Sequence, residues 1–311
     1  MVGGKAMTWQ SVGILSPGEM GAAVAAVLRA HGLRVMTCLE GRSARTRQRV
    51  EAARLGVVPT LAALVPAVDA VLSIVPTLSA PAVGAGIAQA MEQSGKSIVF
   101  VEANAISPMT STTIEQTITR AGGRYIDGCI IGGPADVGRN TMFYLCGPEA
   151  EVAAAALRAG GMRVEVLGEQ VGQASAFKMA YAGFTKGTTA LLLELTLMAH
   201  KWGFLDAILA KYASSHPEAL RMFTTHLTTW PEYATIRAEE MIEIAAMAAA
   251  AGLTPVMAPG AEQVIAAMAK LSWNPTDARD RAALERQLSL QELIPLLAGK
   301  GLLKAAAEPG R

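Results

Sequence analysis

Residues 13–21 read GILSPGEMG and place Ser16, Pro17, Gly18, Glu19, Met20 and Gly21 between an apolar run and an Ala/Leu/Val-rich helical pattern. A glycine turn between a strand and a helix can hold the pyrophosphate of a dinucleotide, because the helix N-terminus offers free N–H groups and positive potential. Gly18 lets the backbone approach the phosphates, and Gly21 lets the helix lie close on the strand. Ser16 stands where the G-x-G-x-x-G fingerprint has its first glycine, so the motif is imperfect. Turns of this shape also serve other nucleotides, S-adenosylmethionine or plain packing, and the residues that follow must decide.

About 20 residues past such a turn, an acidic side chain would bond the adenosine ribose, whereas an arginine would accept a 2′-phosphate. The chain offers Glu40 and then Arg42 and Ser43, with Arg45 following. Arg42 and Ser43 make a cationic, hydrogen-bonding pair suited to a 2′-phosphate, which favours NADP over NAD. Glu40 would repel that group if it faced the same oxygens. Arg45, Arg47, Arg49 and Arg54 read mainly as an exposed helix face. Val75-Pro76 and Asn104 close two further strand patterns, and parallel strands meet their ligands at such ends. Asn104 is then either an amide for the nicotinamide ribose or a turn or cap residue. Gly132-Gly133 follows another strand, where unshielded amides could hold a carboxylate or simply make a turn. Lys178 lies among small and apolar neighbours, two turns into a long helical pattern. Burial there would lower its pKa into a range useful for acid–base work; otherwise its stem snorkels from a partly exposed helix. Tyr181 and Thr185 share its helical face.

The elements that must position these residues alternate. Strand patterns fall at 12–16, 34–39, 70–75, 97–102, 124–131, 141–146 and 163–167. Helical patterns fall between many of them, at 20–31, 43–55, 81–92, 108–121 and 149–159. Such alternation predicts βαβ units and an α/β, Rossmann-type, doubly wound and mostly parallel sheet. Runs such as AVLSIV and SIVFV suit strands covered on both faces. Beyond about Gly168 only helical patterns continue, at 171–200, 217–228, 233–251, 255–271, 277–288 and 291–297. The expected organisation is a cofactor-binding domain over 1–167 and an all-α domain over 168–311, joined by a long helix. A cleft between the two domains would suit an enzyme. The tail AAAEPGR is expected to fray.

Composition narrows the class. Lys+Arg 27 against Asp+Glu 26 leaves a formal charge of +1, without the basic face a nucleic-acid partner would need. Apolar residues make up 51%, but prolines and charges interrupt every long apolar stretch, which argues against a membrane span. Much of the excess is helical alanine, which points to a homodimer or higher homo-oligomer built through the helical domain. Cys38, Cys129 and Cys146 sit singly in strand patterns and read as buried apolar residues of a reducing compartment. The N-terminal MVGGKAMTWQ has no secretory apolar core, so a cytoplasmic location is expected. His31, His200, His216 and His226 show no metal-ligand spacing, and no metal is expected.

In this order the pieces resemble the β-hydroxyacid dehydrogenase superfamily, which includes 6-phosphogluconate and 3-hydroxyisobutyrate dehydrogenases and the imine reductases. GILSPGEMG is similar to its cofactor turn, Glu102-Ala103-Asn104-Ala105-Ile106-Ser107-Pro108 to its D-x-S-T-I-S-P segment, and 127–133 (DGCIIGG) to its substrate segment D-A-P-V-S-G-G. Ile131 replaces that segment's serine. Lys178 occupies the place of the family's catalytic lysine, while Tyr181 and Ala182 replace its two asparagines. The resemblance implies hydride transfer between a nicotinamide and the alcohol or carbonyl carbon of a small hydroxy acid, with Lys178 as general acid/base and Tyr181 beside it. It implies substrate contacts from Ile131, Gly132, Gly133, Thr185 and Lys186, and from Arg237, which otherwise reads as an i,i+3 surface pair with Glu240. The later departures, at Ile131, Tyr181 and Ala182, fall on substrate contacts, which argues against a phosphorylated sugar acid or hydroxyisobutyrate as substrate. The alternatives are an imine or carbonyl reductase of the same architecture, or a non-catalytic sensor of NADP(H).

Overall fold

The computed structural model describes residues 9–303; the stretch before Trp9 and the tail AAAEPGR lie outside the described residues. The chain runs β1 (Ser11–Leu15), α1 (Glu19–Ala30), β2 (Arg34–Cys38), α2 (Ala44–Ala52), β3 (Gly56–Val58), α3 (Leu61–Leu64), β4 (Ala70–Ser73), α4 (Ala80–Ser94), β5 (Val99–Glu102), α5 (Pro108–Arg120), β6 (Arg124–Ile131), β7 (Met142–Cys146), α6 (Ala150–Ala159) and β8 (Arg163–Gly168). Helices follow: α7 (Gln173–Lys201), α8 (Leu205–Ser215), α9 (Pro217–Leu227), α10 (Trp230–Ala250), α11 (Met257–Ala269), α12 (Ala278–Leu284) and α13 (Leu290–Leu297). The chain divides into two units, Met1–Met179 and Ala180–Arg311.

The first unit holds one eight-stranded sheet in the order β3-β2-β1-β4-β5-β6-β7-β8. All neighbours are parallel except β6 and β7. This is the doubly wound order, reversing direction between β1 and β4, and ligands of such sheets bind at the carboxyl ends beside that switch. Two apolar layers flank the sheet. Val24, Ala25 and Leu28 of α1 pack with Ala153, Ala154 and Leu157 of α6 on one face. Ile87 and Met91 of α4 pack with Ile114 and Ile118 of α5 on the other. Both faces are covered, which is why β1, β4 and β5 carry no outward polar alternation.

Among its described residues the second unit holds helices and their connections and no strand. Trp230 and Phe223 are fully buried in it, and Lys186 of α7 pairs with Glu240 of α10 at 2.5 Å. Three elements escaped the sequence reading. β3 has only three residues, two of them exposed, and α3 is a single turn. α8 opens on Phe204 with no side-chain cap and buries only Leu205 and Leu209, so its signals are weak. Among the described residues, no helix is long and apolar enough to cross a membrane.

Candidate functional site

The turn after β1 is built as a dinucleotide cradle requires. Ser16 adopts a left-handed φ of 52°, and the Gly18 amide donates to the Ser16 carbonyl at 2.6 Å. α1 then starts at Glu19 with no side-chain cap, so the amides of its first turn have no partner within the helix. A Cβ on Gly18 would meet only the Ser16 carbonyl, at 3.9 Å, which leaves the approach to those amides open. A Cβ on Gly21 would stand 3.3 Å from Ile14, a spacing that keeps α1 close on β1. The turn therefore fits a pyrophosphate.

At the end of β2, Gly41 turns the chain with a positive φ, and Ser43 accepts from the Thr46 amide to cap α2. Arg42 is half-buried, whereas Glu40 and Ser43 are exposed. Arg45, Arg47 and Arg54 are exposed as expected from the sequence, whereas Arg49 is half-buried. Arg49 and Arg45 reach Glu19 of the cofactor turn at 2.9 and 3.5 Å, and Arg47 donates to the Leu39 carbonyl. Glu19 thereby latches α2 to the start of α1.

Asn104 is buried after β5, and its amide is engaged on both sides. Its oxygen accepts from the Val75 amide at 2.6 Å, and its nitrogen donates to Ser73 Oγ at 2.9 Å. Of the two expectations for Asn104, these bonds favour the turn residue. Val75 is half-buried and Pro76 exposed beside it. Beneath lies Glu102, fully buried, with Oε1 accepting the Asn104 amide and Oε2 unpartnered. Burial pushes its carboxyl up to about 8; the Asn104 amide opposes this and the charge of Asp127 adds to it.

β6 carries the other half of the site. Past Ile131 the chain breaks at Gly132, whose φ of 129° suits glycine. A Cβ there would fall 2.4 Å from Thr141 Oγ1, so close approach and backbone both require glycine. Gly133 is exposed with open space about it. Lys178 donates from Nζ to the Ile130 carbonyl at 2.8 Å, which sets its nitrogen at the same strand end as the Gly132-Gly133 turn. Of the two readings of Lys178, the half-buried side chain is nearer to the partly exposed one, and a main-chain carbonyl anchors its nitrogen.

The residues expected from farther along α7 and α10 meet internal partners. Thr185 is buried and donates to the Ala182 carbonyl of its own helix at 3.1 Å. Lys186 is neutralised by Glu240. Arg237 is half-buried; it donates to the His226 carbonyl at 3.1 Å and lies over the Tyr233 ring, so it is no surface pair. Burial pulls its guanidinium down to about 10, against the opposing charge of Glu240. The Tyr181 side chain is 47% exposed.

Sequence reasoning placed Asp127 in the substrate segment, read Cys146 as a buried apolar residue and assigned no role to Ser111 or Ser175; the structure joins all four in one buried network. Cys146 is more than an apolar filler: its thiol donates to Asp127 and accepts from the Ala174 amide. Burial and the Asp127 charge push that thiol up to about 12, so it stays protonated. Only the packing of α5, β6, β7 and the start of α7 brings these residues together, and no spacing along the chain encodes it. All three cysteines are free and buried. Among the described residues, no group of three or more His, Cys, Asp or Glu could hold a metal ion.

The model of the NAD binding domain of 6-phosphogluconate dehydrogenase matches residues 11–167, and that of a domain of unknown function matches residues 199–268. The "uncharacterized 28.5 kDa protein in 7S RNA 5′ region" of Methanothermus fervidus is 28% identical over 200 residues, 64% of this chain and 74% of that protein. A solved conserved protein of unknown function, described as structurally similar to 3-hydroxyacid dehydrogenases, shares 28% identity at a TM-score of 0.61, covering 90% of this chain and 100% of its own. The 3-hydroxyisobutyrate dehydrogenase of Salmonella typhimurium has the same fold, with a TM-score of 0.68 at 19% identity over 88% of this chain and 99% of that one.

Proposed function

The chain belongs to the family defined by the NAD binding domain of 6-phosphogluconate dehydrogenase, within the NAD(P)-dependent 3-hydroxyacid dehydrogenases and reductases acting on CH–OH groups. From that premise we propose that it moves a hydride between NADP and the alcohol or carbonyl carbon of a small hydroxy acid, with Lys178 as the acid–base group. The observation that carries this reading is Lys178 Nζ at the carboxyl end of β6, 2.8 Å from the Ile130 carbonyl and beside the Gly132-Gly133 turn.

The open amides after Gly18 would hold the pyrophosphate. A bound nicotinamide supplies the acceptor for the hydride that leaves the carbinol carbon. Lys178 takes the hydroxyl proton as the C–O bond becomes a carbonyl, and returns it in the reverse direction. The exposed Gly132-Gly133 amides orient the substrate carboxylate. Ile131, in place of a hydroxyl residue, leaves the carboxylate to backbone donors and favours a compact, apolar-flanked acid. Tyr181 is a second hydroxyl on the same helix.

A panel of 3-hydroxy acids, aldehydes and imines, followed at the nicotinamide absorbance, tests the assignment. Turnover of a hydroxy acid supports it; turnover of imines alone redirects the proposal to C=N reduction. Tight NADP binding with no turnover anywhere redirects it to a sensor.

The preference for NADP rests on Arg42, half-buried at the loop that opens α2. Arg42→Ala is expected to raise the NADPH Kd by about 10-fold, the scale of one lost charge-assisted pair. The NADH Kd should change little, and equal losses for both would reject the 2′-phosphate role. A cytoplasmic location accompanies this reading, since free thiols suit a reducing compartment.

We also propose that the protein is a homodimer formed through α7. Tyr181, Phe184, Leu191, Met198 and Trp202 are exposed on one stripe at spacings of three, four and seven, with Phe184 66% and Trp202 76% accessible. An apolar groove walled by Gly187, Ile244, Leu253 and Val264 runs beside it. Phe184→Asp is expected to halve the mass measured by light scattering; an unchanged mass would reject the stripe as the interface.

A further inference from the structure

We propose that Asp127 is the positioning residue of this site: its buried carboxylate on β6 fixes the first turn of α7, and so fixes where Lys178 meets the end of the same strand. The inference rests on the reading of Lys178 given above.

Asp127 has no solvent exposure, yet five donors converge on it. Oδ1 accepts from Ser111 Oγ at 2.9 Å and from Ser175 Oγ at 2.6 Å. Oδ2 accepts from the Gly172 amide at 2.9 Å, the Ser175 amide at 3.1 Å and Cys146 Sγ at 3.0 Å. Two of the five are backbone N–H groups, which can only donate. Oδ2 must therefore accept from both, and a carboxylate accepts all five donors at once.

The two amides belong to the start of α7, where a helix lacks internal acceptors and carries positive potential. The Cys146 thiol, itself held by Asp127, takes the intervening Ala174 amide. The cap of this helix thus comes from the sheet, whereas α5 is capped by its own Ser107. The second attachment is Lys178 to the Ile130 carbonyl. Asp127 and Ile130 are three residues apart on β6, as Ser175 and Lys178 are on α7, so strand and helix are pinned twice across one helical turn. Sliding or rotation of α7 would break the Asp127 bonds and withdraw Lys178 together. Glu102 stands opposite Asp127 in the β5–β6 register and keeps its proton to about pH 8, mainly through burial.

The test is a double-mutant cycle of Asp127→Asn with Lys178→Ala. Turnover is measured with NADP and the fastest of 3-hydroxypropionate, 3-hydroxybutyrate and 3-hydroxyisobutyrate. Asp127→Asn removes the charge that faces the start of α7 and turns its NH2 either to the Gly172 and Ser175 amides or to the two serine hydroxyls, and kcat is expected to fall about 10–100-fold, the scale of an ångström-sized misplacement. The NADP Kd should change less than about threefold, a factor small beside that loss. In the Lys178→Ala background the same substitution should cost nothing further, whereas additive losses would overturn the proposal. Ser175→Ala, which removes one donor, should act in the same direction more weakly and guards against a misfolded Asn variant.

Acetic anhydride labelling of Lys178, read by mass spectrometry, needs no turnover. It should be several-fold faster in both variants, and unchanged labelling in both would overturn the clamp. If Lys178→Ala turns over like the parent, the acid–base reading fails, while the labelling result still judges the clamp.

Discussion

Lys178→Ala is expected to lower turnover by about 10²–10⁴-fold, the usual consequence of removing a general acid/base, with NADP affinity little changed. The expectation follows from how the site is divided. The cofactor cradle we propose is the backbone between Ser16 and Met20 with the start of α1, whereas Lys178 is held at the end of β6 through the Ile130 carbonyl. Removing the ammonium-bearing chain takes away a proton carrier and leaves the phosphate amides as they were. Stopped-flow absorbance would measure the chemical step and fluorescence quenching the cofactor Kd. A variant with near-parental turnover would remove Lys178 from the mechanism, and a matched loss in Kd would recast it as a cofactor ligand.

Glu102→Gln is expected to stabilise the protein increasingly as pH rises. The Glu102 carboxyl titrates near 4.5 in the unfolded chain and at about 8 in the folded one. Below pH 4.5 both states hold the proton, and the group adds no pH dependence. Between 4.5 and 8 the unfolded chain releases a proton that the folded chain keeps, so stability falls with rising pH by about 1.4 kcal/mol per unit at most. Above about 8 the loss is complete and constant. Glutamine does not titrate, so the gap between variant and parent should widen from pH 5 to pH 8 and then level off, reaching a few kcal/mol by that slope. Urea midpoints at five pH values would follow it. Parallel curves would mean that Glu102 is ionised in the fold, with its charge compensated.

Much of the sheet was legible because its strands are short apolar runs between helices of ordinary length, and burial on both faces leaves that mark on sequence. β6 was read to its ends, Arg124 and Ile131, since glycines bound it. The turn after β1 was legible for the same reason, as local geometry writes itself in glycines. What could not be read is what depends on partners far apart in the chain. The Asn104 amide looked equally suited to a ligand or a turn until Val75 and Ser73 were seen beside it. Arg49 looked solvated until Glu19 was found 30 positions away. Lys186 and Arg237 matched a familiar site by position, yet Glu240 and the His226 carbonyl receive them. Long, flexible cations find partners in three dimensions, and helical periodicity says nothing of which ones.

The tether from Asn104 to the Val75 amide bears on the thermodynamics of ligand capture. Two loops that leave neighbouring strands are already fastened to each other before any guest arrives, through a shielded amide rather than a surface contact. The chain entropy of that rim is surrendered when the protein folds, and little remains to be surrendered on association. Affinity at this edge is then governed by the fit of the guest, with no toll for stiffening the host.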